Sequence, residues 1–289
     1  MAQRDSPQSR DPGAFTLLRV EAADLAEHSG ALRQMVEREG LDGLIVRGVI
    51  TPDEAATLDA AIEAGDPAFP RFEKAGDSGP LGPAWAAGPL IHNVEAGVQR
   101  YLSLTAVYRM MLQYLFAKHV GEGLESRIAR ALTLLGGGRP ASIPSAEEGT
   151  YMPANLRTLT PETALSVHCG NMFAADPSYQ HLNGIVNTID QWSWYFQIAV
   201  PEAGGELRIY EGDWTERDDF IPRLHVEPDE DVMAGRRWMT VDMQPGDLLL
   251  FAGGRIYHRV TRVEGGRIRR TLGGFGTFSN DDTRIHFWG

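Results

Sequence analysis

A chain of 289 residues, 43% of them hydrophobic, is long enough to bury a substantial core and short enough to form one domain. Its formal charge of −12 excludes the basic surface that non-specific nucleic-acid or anionic-membrane binding requires. The single cysteine, Cys169, excludes an intrachain disulfide and points to a reducing, cytoplasmic setting; no apolar run approaches the ~20 residues of a bilayer span.

Residues 1–14 are polar, lack the apolar segment of a signal peptide, and read as a disordered lead. A helix is expected over 21–38, then a strand within Leu41–Ile50. Thr51-Pro52-Asp53-Glu54 is a capping box with proline at the first helical position, opening a helix to about Glu63. Residues 65–93 are rich in Gly, Pro and Ala, with Phe69, Phe72 and Trp85 interspersed; a long irregular stretch of this kind reads either as a cover over a pocket or as surface packing. From Val94 to Leu135 the pattern is helical, with Tyr101, Leu104, Tyr108, Met111 and Leu115 forming one apolar stripe. Gly136-Gly137-Gly138-Arg139-Pro140 ends it without the Gly-Lys-Ser/Thr of a phosphate loop.

Beyond residue 148 the chain turns to short runs of strand character: 149–158, 163–169, 192–200, 206–211, 237–243, 247–252, 255–262, 267–278 and 283–288. Turns at Ala203-Gly204-Gly205-Glu206 and Gln244-Pro245-Gly246-Asp247 separate some of them. This count and punctuation fit an α+β, mainly β protein, a sandwich or jelly roll with a helical N-terminal layer; the jelly roll (double-stranded β-helix) is the expected fold. The expected organisation is one domain over 15–289, helical over about 21–135 and β over about 148–289.

Two histidines end up on strands. His168 shares a face with Ser166 and Gly170, whereas Cys169 points the other way and reads as a packed thiol. His258 shares its face with Ile256 and Val260. Neighbouring imidazoles on a jelly roll can bind a divalent metal, and imidazole suits iron. Either histidine alone reads as a hydrogen-bonded core residue. The context that changes this is Arg269 with Thr271, a guanidinium and a hydroxyl on one strand face, which together form an anchor for a carboxylate. Arg267 shares that face as the rival anchor; Arg270 faces away.

At these residues the chain resembles the iron(II)/2-oxoglutarate-dependent oxygenases, and within them the carrier-protein-independent halogenases of cyanobacterial hapalindole and welwitindolinone alkaloid biosynthesis. The matching stretches are Asp42-Gly43-Leu44-Ile45-Val46-Arg47-Gly48-Val49, Val167-His168-Cys169-Gly170-Asn171, Val200-Pro201-Glu202-Ala203-Gly204-Gly205-Glu206-Leu207, Gly253-Gly254-Arg255-Ile256-Tyr257-His258-Arg259-Val260 and Arg269-Arg270-Thr271-Leu272-Gly273-Gly274-Phe275. The resemblance implies Fe(II) held by His168 and His258, with Gly170 where an oxygenase has its carboxylate ligand. It implies 2-oxoglutarate, dioxygen as co-substrate, and chloride in place of the missing carboxylate. Arg267 has no counterpart there, which favours Arg269 with Thr271 as the 2-oxoglutarate anchor. Ser193 falls where those halogenases have a serine that orients the oxygen-derived ligand. Residues 65–93 depart from the family pattern, which leaves the substrate open. The implied partner is a free small molecule, with no carrier protein, nucleic acid or membrane.

Two other readings stand beside the halogenase. In one, Asp176 or Asp190 supplies a third ligand and the protein is a hydroxylase. In the other, it is a non-catalytic jelly-roll binding protein whose histidines are core residues.

Overall fold

The computed structural model describes residues 15–65, 84–87, 91, 97–174, 176–214, 233 and 235–289. The expected disordered lead (1–14) and most of the expected pocket cover (65–93) lie outside the described residues. The N-terminal layer begins with β1 (Leu17–Glu21), a 3₁₀ helix over Ala22–His28, α1 (Ala31–Val36) and β2 (Gly43–Arg47). The single helix expected over 21–38 is thus two short ones, broken at Ser29-Gly30, and a strand precedes them. α2 (Pro52–Glu63) starts at Thr51 with both halves of the capping box formed, Thr51 N–H to Glu54 at 2.7 Å and Glu54 N–H to Thr51 at 3.2 Å.

The helical stretch expected from Val94 to Leu135 is α3 (Val98–Val120) and α4 (Leu124–Leu135), divided at Gly121, whose φ of 80° closes the first helix. The apolar stripe on α3 also differs in detail from its sequence pattern. Tyr101, Tyr108 and Leu115 are buried, but Leu104 is 42% exposed; the inward face is completed instead by Leu102, Thr105, Leu112 and Phe116. Ile128, Leu132 and Leu135 of α4 are buried in the same core, each contributing about 1.5–3 kcal/mol of transfer free energy.

The β part comprises β3 (Ala84–Ala87), β4 (Ala141–Ser142), β5 (Ser145–Ala146), β6 (Gly149–Thr150), β7 (Asn155–Leu159), β8 (Leu165–His168), β9 (Trp192–Ala199), β10 (Ala203–Gly204), β11 (Leu207–Asp213), β12 (Trp238–Val241), β13 (Leu248–Phe251), β14 (Ile256–Val260), β15 (Val263–Glu264), β16 (Arg269–Phe278) and β17 (Ile285–Trp288). A large sheet runs β1-β2-β13-β9-β16-β17-β4, with β7 also on β16 and β3 on β7. A small sheet runs β12-β11-β14-β8. These are the two sheets of a jelly roll, and residues of both line a shared cavity.

Alternation along β16 shows how the large sheet divides its faces. Arg269, Thr271, Gly273 and Phe275 line the cavity. Arg270 points oppositely, is fully buried, and pairs with Asp59 and Glu63 of α2 and with Thr158. α2 therefore packs on the outer face of this sheet, and its acidic residues neutralise the arginine that the strand pattern turns outward. On the small sheet Cys169 is fully buried with Val167, Tyr210, Met233 and Tyr257.

Candidate metal and co-substrate site

His168 and His258 are direct partners across the β8–β14 antiparallel ladder. Their ring centroids lie 4.3 Å apart at an interplanar angle of 55°. Each ring is fixed the same way: His168 Nδ1 bonds to the Ser166 carbonyl at 2.8 Å, and His258 Nδ1 to the Ile256 carbonyl at 2.9 Å. A ring whose Nδ1–H donates to a carbonyl has its lone pair on Nε2, the usual orientation of a metal-binding imidazole. Burial, reinforced by the neighbouring His168, holds His258 well below its ordinary pKa and therefore neutral, as ligation requires. Phe251 meets the His258 ring edge-on at 4.9 Å. The donor set fits a divalent ion with borderline or imidazole-preferring character.

Among the described residues no group of three His, Cys, Asp or Glu side chains could hold a metal, so no carboxylate joins the two imidazoles. The two candidate third ligands are engaged elsewhere. Asp176 caps a short helix through the Ser178 N–H at 2.8 Å and hydroxyl at 2.6 Å. Asp190 accepts from Asn171 Nδ2 at 2.9 Å and pairs with Arg38 at 3.5 Å.

Both histidines line a cavity of about 140 Å³ together with Ser193, Arg269 and Thr271. Ser193 is buried on β9 between Phe251 and Phe275, its partners on β13 and β16. Arg269 is 4% exposed and lies with Cζ 5.4 Å from the Tyr195 ring centre. Burial lowers the pKa of this guanidinium, and Tyr195 opposes the shift. Arg267 is exposed and is not among the cavity residues; Arg270 serves α2.

Gly170 follows β8 and is held against the turn before β14: its N–H donates to the Gly253 carbonyl at 2.8 Å, and Asn171 N–H to the Gly254 carbonyl at 2.8 Å. It does not itself line the cavity. A Cβ on Gly170 would lie 2.6 Å from Gln191 Nε2 and 3.1 Å from Gly254 Cα. The space that a side chain would enter is therefore filled by the Gln191 carboxamide.

Arg157 is the cavity residue that sequence reasoning missed. It lies directly opposite Thr271 on β7, so Arg157 and Arg269 stand on adjacent strands of one wall. Burial, and then the charge of Arg269, lower its pKa. Among the described residues the cavity lining contains two guanidiniums and no aspartate or glutamate side chain, an environment that attracts anions. The available signal was an arginine in the middle of a strand, on the same face as Asn155.

The sequence profile of the family described as carrier-protein-independent halogenase WelO5 matches residues 14–289. The chain belongs to this family. Membership in the WelO5 family places it in the non-haem iron oxygenase and halogenase class. No curated protein matched the chain. Among solved structures it is similar to an N-substituted L-amino acid dioxygenase from Burkholderia ambifaria AMMD, with TM-score 0.48 and 16% identity over 92% of this chain and 91% of that one. It is also similar to an oxidoreductase of the 2OG-Fe(II) oxygenase family from Burkholderia pseudomallei (TM-score 0.47, 13% identity, 90% and 93% covered). A third similar structure is the non-heme alpha-ketoglutarate-dependent carbocyclase SnoK from nogalamycin biosynthesis (TM-score 0.49, 12% identity, 86% and 82% covered).

Proposed function

We propose that the protein is an iron(II)- and 2-oxoglutarate-dependent halogenase that chlorinates an unactivated C–H bond of a freestanding small molecule. The observation that carries this reading is the His168–His258 pair, joined by no carboxylate among the described residues, in a cavity whose far wall holds Arg269 and Thr271. Bound iron(II) would let dioxygen act as the oxidant: one oxygen atom would go to 2-oxoglutarate, giving succinate and carbon dioxide, and the other would leave as water with the C–H hydrogen and one proton, as chloride replaces hydrogen on carbon.

The residues have separate roles in this reading. His168 and His258 hold the metal through Nε2. Arg269, steadied by Tyr195, and Thr271 anchor the distal carboxylate of 2-oxoglutarate. Arg157 adds a second cation to a site that receives a dianion and a halide. Gly170 withholds the carboxylate of an ordinary two-histidine, one-carboxylate site, so that an anion is needed to complete the metal's surroundings. Ser193, buried beside the histidines, directs a hydroxyl toward the reacting centre. The apolar walls formed by Phe251, Phe275 and Val260 keep water out.

The test is product analysis. The iron-loaded protein is incubated aerobically with 2-oxoglutarate and a panel of free apolar polycyclic indoles, with and without chloride. Chlorine-isotope doublets that depend on chloride, together with succinate, are expected. A product that gains only oxygen under saturating chloride would replace the halogenase with the hydroxylase.

A further inference from the structure

β16 changes neighbours along one of its edges. β7 pairs with its first half, Asn155 opposite Gly273, and β17 with its second half, Trp288 opposite Phe275. Asn155 and Trp288 therefore follow one another along that edge, with about 7 Å of strand between them, and both line the cavity. The strand ends touch here: a Cβ on Gly289 would come within 2.5 Å of Ala154 Cα and 2.6 Å of Asn155 N. On the opposite edge of β16 Phe275 pairs with Ser193, so Trp288 lies two strands from that serine, ~10 Å across the sheet. Two of the buried polar atoms without a hydrogen-bond partner among the described residues belong to this cavity wall: Asn155 Oδ1 and Trp288 Nε1. Trp288 is 1% exposed and packs on Phe275 with ring centroids 6.2 Å apart.

Buried polar atoms are normally bonded, and in the wall of a cavity a ligand can complete those that are not. These two atoms require opposite complements. Asn155 Oδ1 is an acceptor and takes an N–H or O–H group, whereas the indole N–H of Trp288 is a donor only and takes a carbonyl or similar acceptor. An unpartnered acceptor repels carboxylate and halide alike, so this edge does not suit 2-oxoglutarate or chloride; the cations that do, Arg157 and Arg269, lie further along the same wall. We infer that Asn155 and Trp288 determine substrate specificity. They select a neutral molecule with a paired donor and acceptor, as in a lactam, whose N–H is donated to Asn155 and whose carbonyl accepts from Trp288. This rests on the reading of the cavity as the place where a free small molecule reacts, and adds the class of that molecule.

The test uses the full-length protein loaded with cobalt(II) and 2-oxoglutarate, and three bicyclic probes titrated by ligand-observed NMR. Isoindolinone offers both N–H and carbonyl, N-methylisoindolinone the carbonyl alone, and indole the N–H alone. The unsubstituted protein should bind isoindolinone roughly threefold or more tighter than either of the others, the effect of one neutral hydrogen bond. Asn155→Leu should erase the advantage over N-methylisoindolinone, and Trp288→Phe, which keeps an aromatic ring, the advantage over indole; each should leave the other preference in place. Affinity for 2-oxoglutarate should stay within about twofold in both variants, because Arg269 and Thr271 are untouched. Equal binding of the three probes by the unsubstituted protein overturns the inference. So does a preference that survives in the folded variant expected to lose it, or a loss of 2-oxoglutarate affinity with probe binding unchanged. None of these outcomes bears on the halogenase reading, which product analysis decides: a product that gains only oxygen would overturn that reading and leave the assignment of Asn155 and Trp288 standing.

Discussion

Replacing Arg269 by alanine separates a co-substrate anchor from a structural arginine. The side chain is 4% exposed and reaches the cavity beside Thr271. Losing a charge-assisted hydrogen bond to a carboxylate costs ~1.5–3 kcal/mol, which is roughly 10- to 150-fold in Kd. Arg157, across the ladder from Thr271, stays behind as a cation, so the loss should be partial. The same substitution relieves Arg157 of a neighbouring like charge but also removes the cation that Tyr195 and Glu206 attract, so the melting temperature of the ligand-free variant should shift little. The assay is anaerobic calorimetric titration of 2-oxoglutarate into the cobalt(II) protein, with thermal melting of the ligand-free variant alongside. Arg267→Ala is the control; its side chain is exposed and outside the cavity, so its Kd should match that of the unsubstituted protein. Equal weakening by both substitutions, or a Kd unchanged in Arg269→Ala, would refute the anchor.

Arg270→Ala should leave 2-oxoglutarate binding intact but destabilise the fold, because it strands Asp59 and Glu63 of α2 without their buried partner. Since both carboxylates are partly exposed, a loss at or below the low end of the ~3–5 kcal/mol known for broken buried pairs is expected in denaturant unfolding. Gly170→Asp should abolish chlorination and also lower the melting temperature, as its Cβ must displace the Gln191 amide and press on Gly254, an overpacking cost of ~1–3 kcal/mol; chlorination surviving in that variant would take Gly170 out of the halide position. Cys169 is fully buried, so an aromatic disulfide reagent should find no reactive thiol in the native protein and one after denaturation; rapid native reaction would place the thiol outside the packed cluster with Tyr210 and Tyr257.

Much of the architecture was legible because its signals are local. The capping box at Thr51 needs only four residues, and β8, β9, β13, β14 and β16 each carry enough apolar or β-branched content to appear in isolation. What was hidden depends on partners distant in sequence. β1 is largely exposed and exists because Leu17–Glu21 pairs in parallel with Gly43–Arg47. The two-residue strands β4, β10 and β15 are likewise defined by their pairing. On α3 the three-and-four spacing admits two neighbouring stripes. Packing chose the one through Leu102, Thr105 and Leu112, leaving Leu104 outside.

The site divides along the same line. The histidines and Arg269 with Thr271 could be picked out because strand alternation alone puts each pair on a definite face, and the structure has these four side chains lining one cavity. Gly170 was legible only as an omission, and an omission does not say what fills the gap. In sequence, a glycine two residues after a histidine looks the same whether the space beside it is empty, holds an ion, or holds another side chain. The contacts that decide this come from three segments: the turn after β8, Gln191 before β9, and Gly253-Gly254 before β14. The Gln191 carboxamide enters that space only because the backbone of Gly254 approaches closely enough to clamp the Gln191 main chain. The missing carboxylate and the residue in its place are thus one structural unit, so adding a carboxylate at 170 while Gln191 remains meets a filled volume rather than an open coordination position.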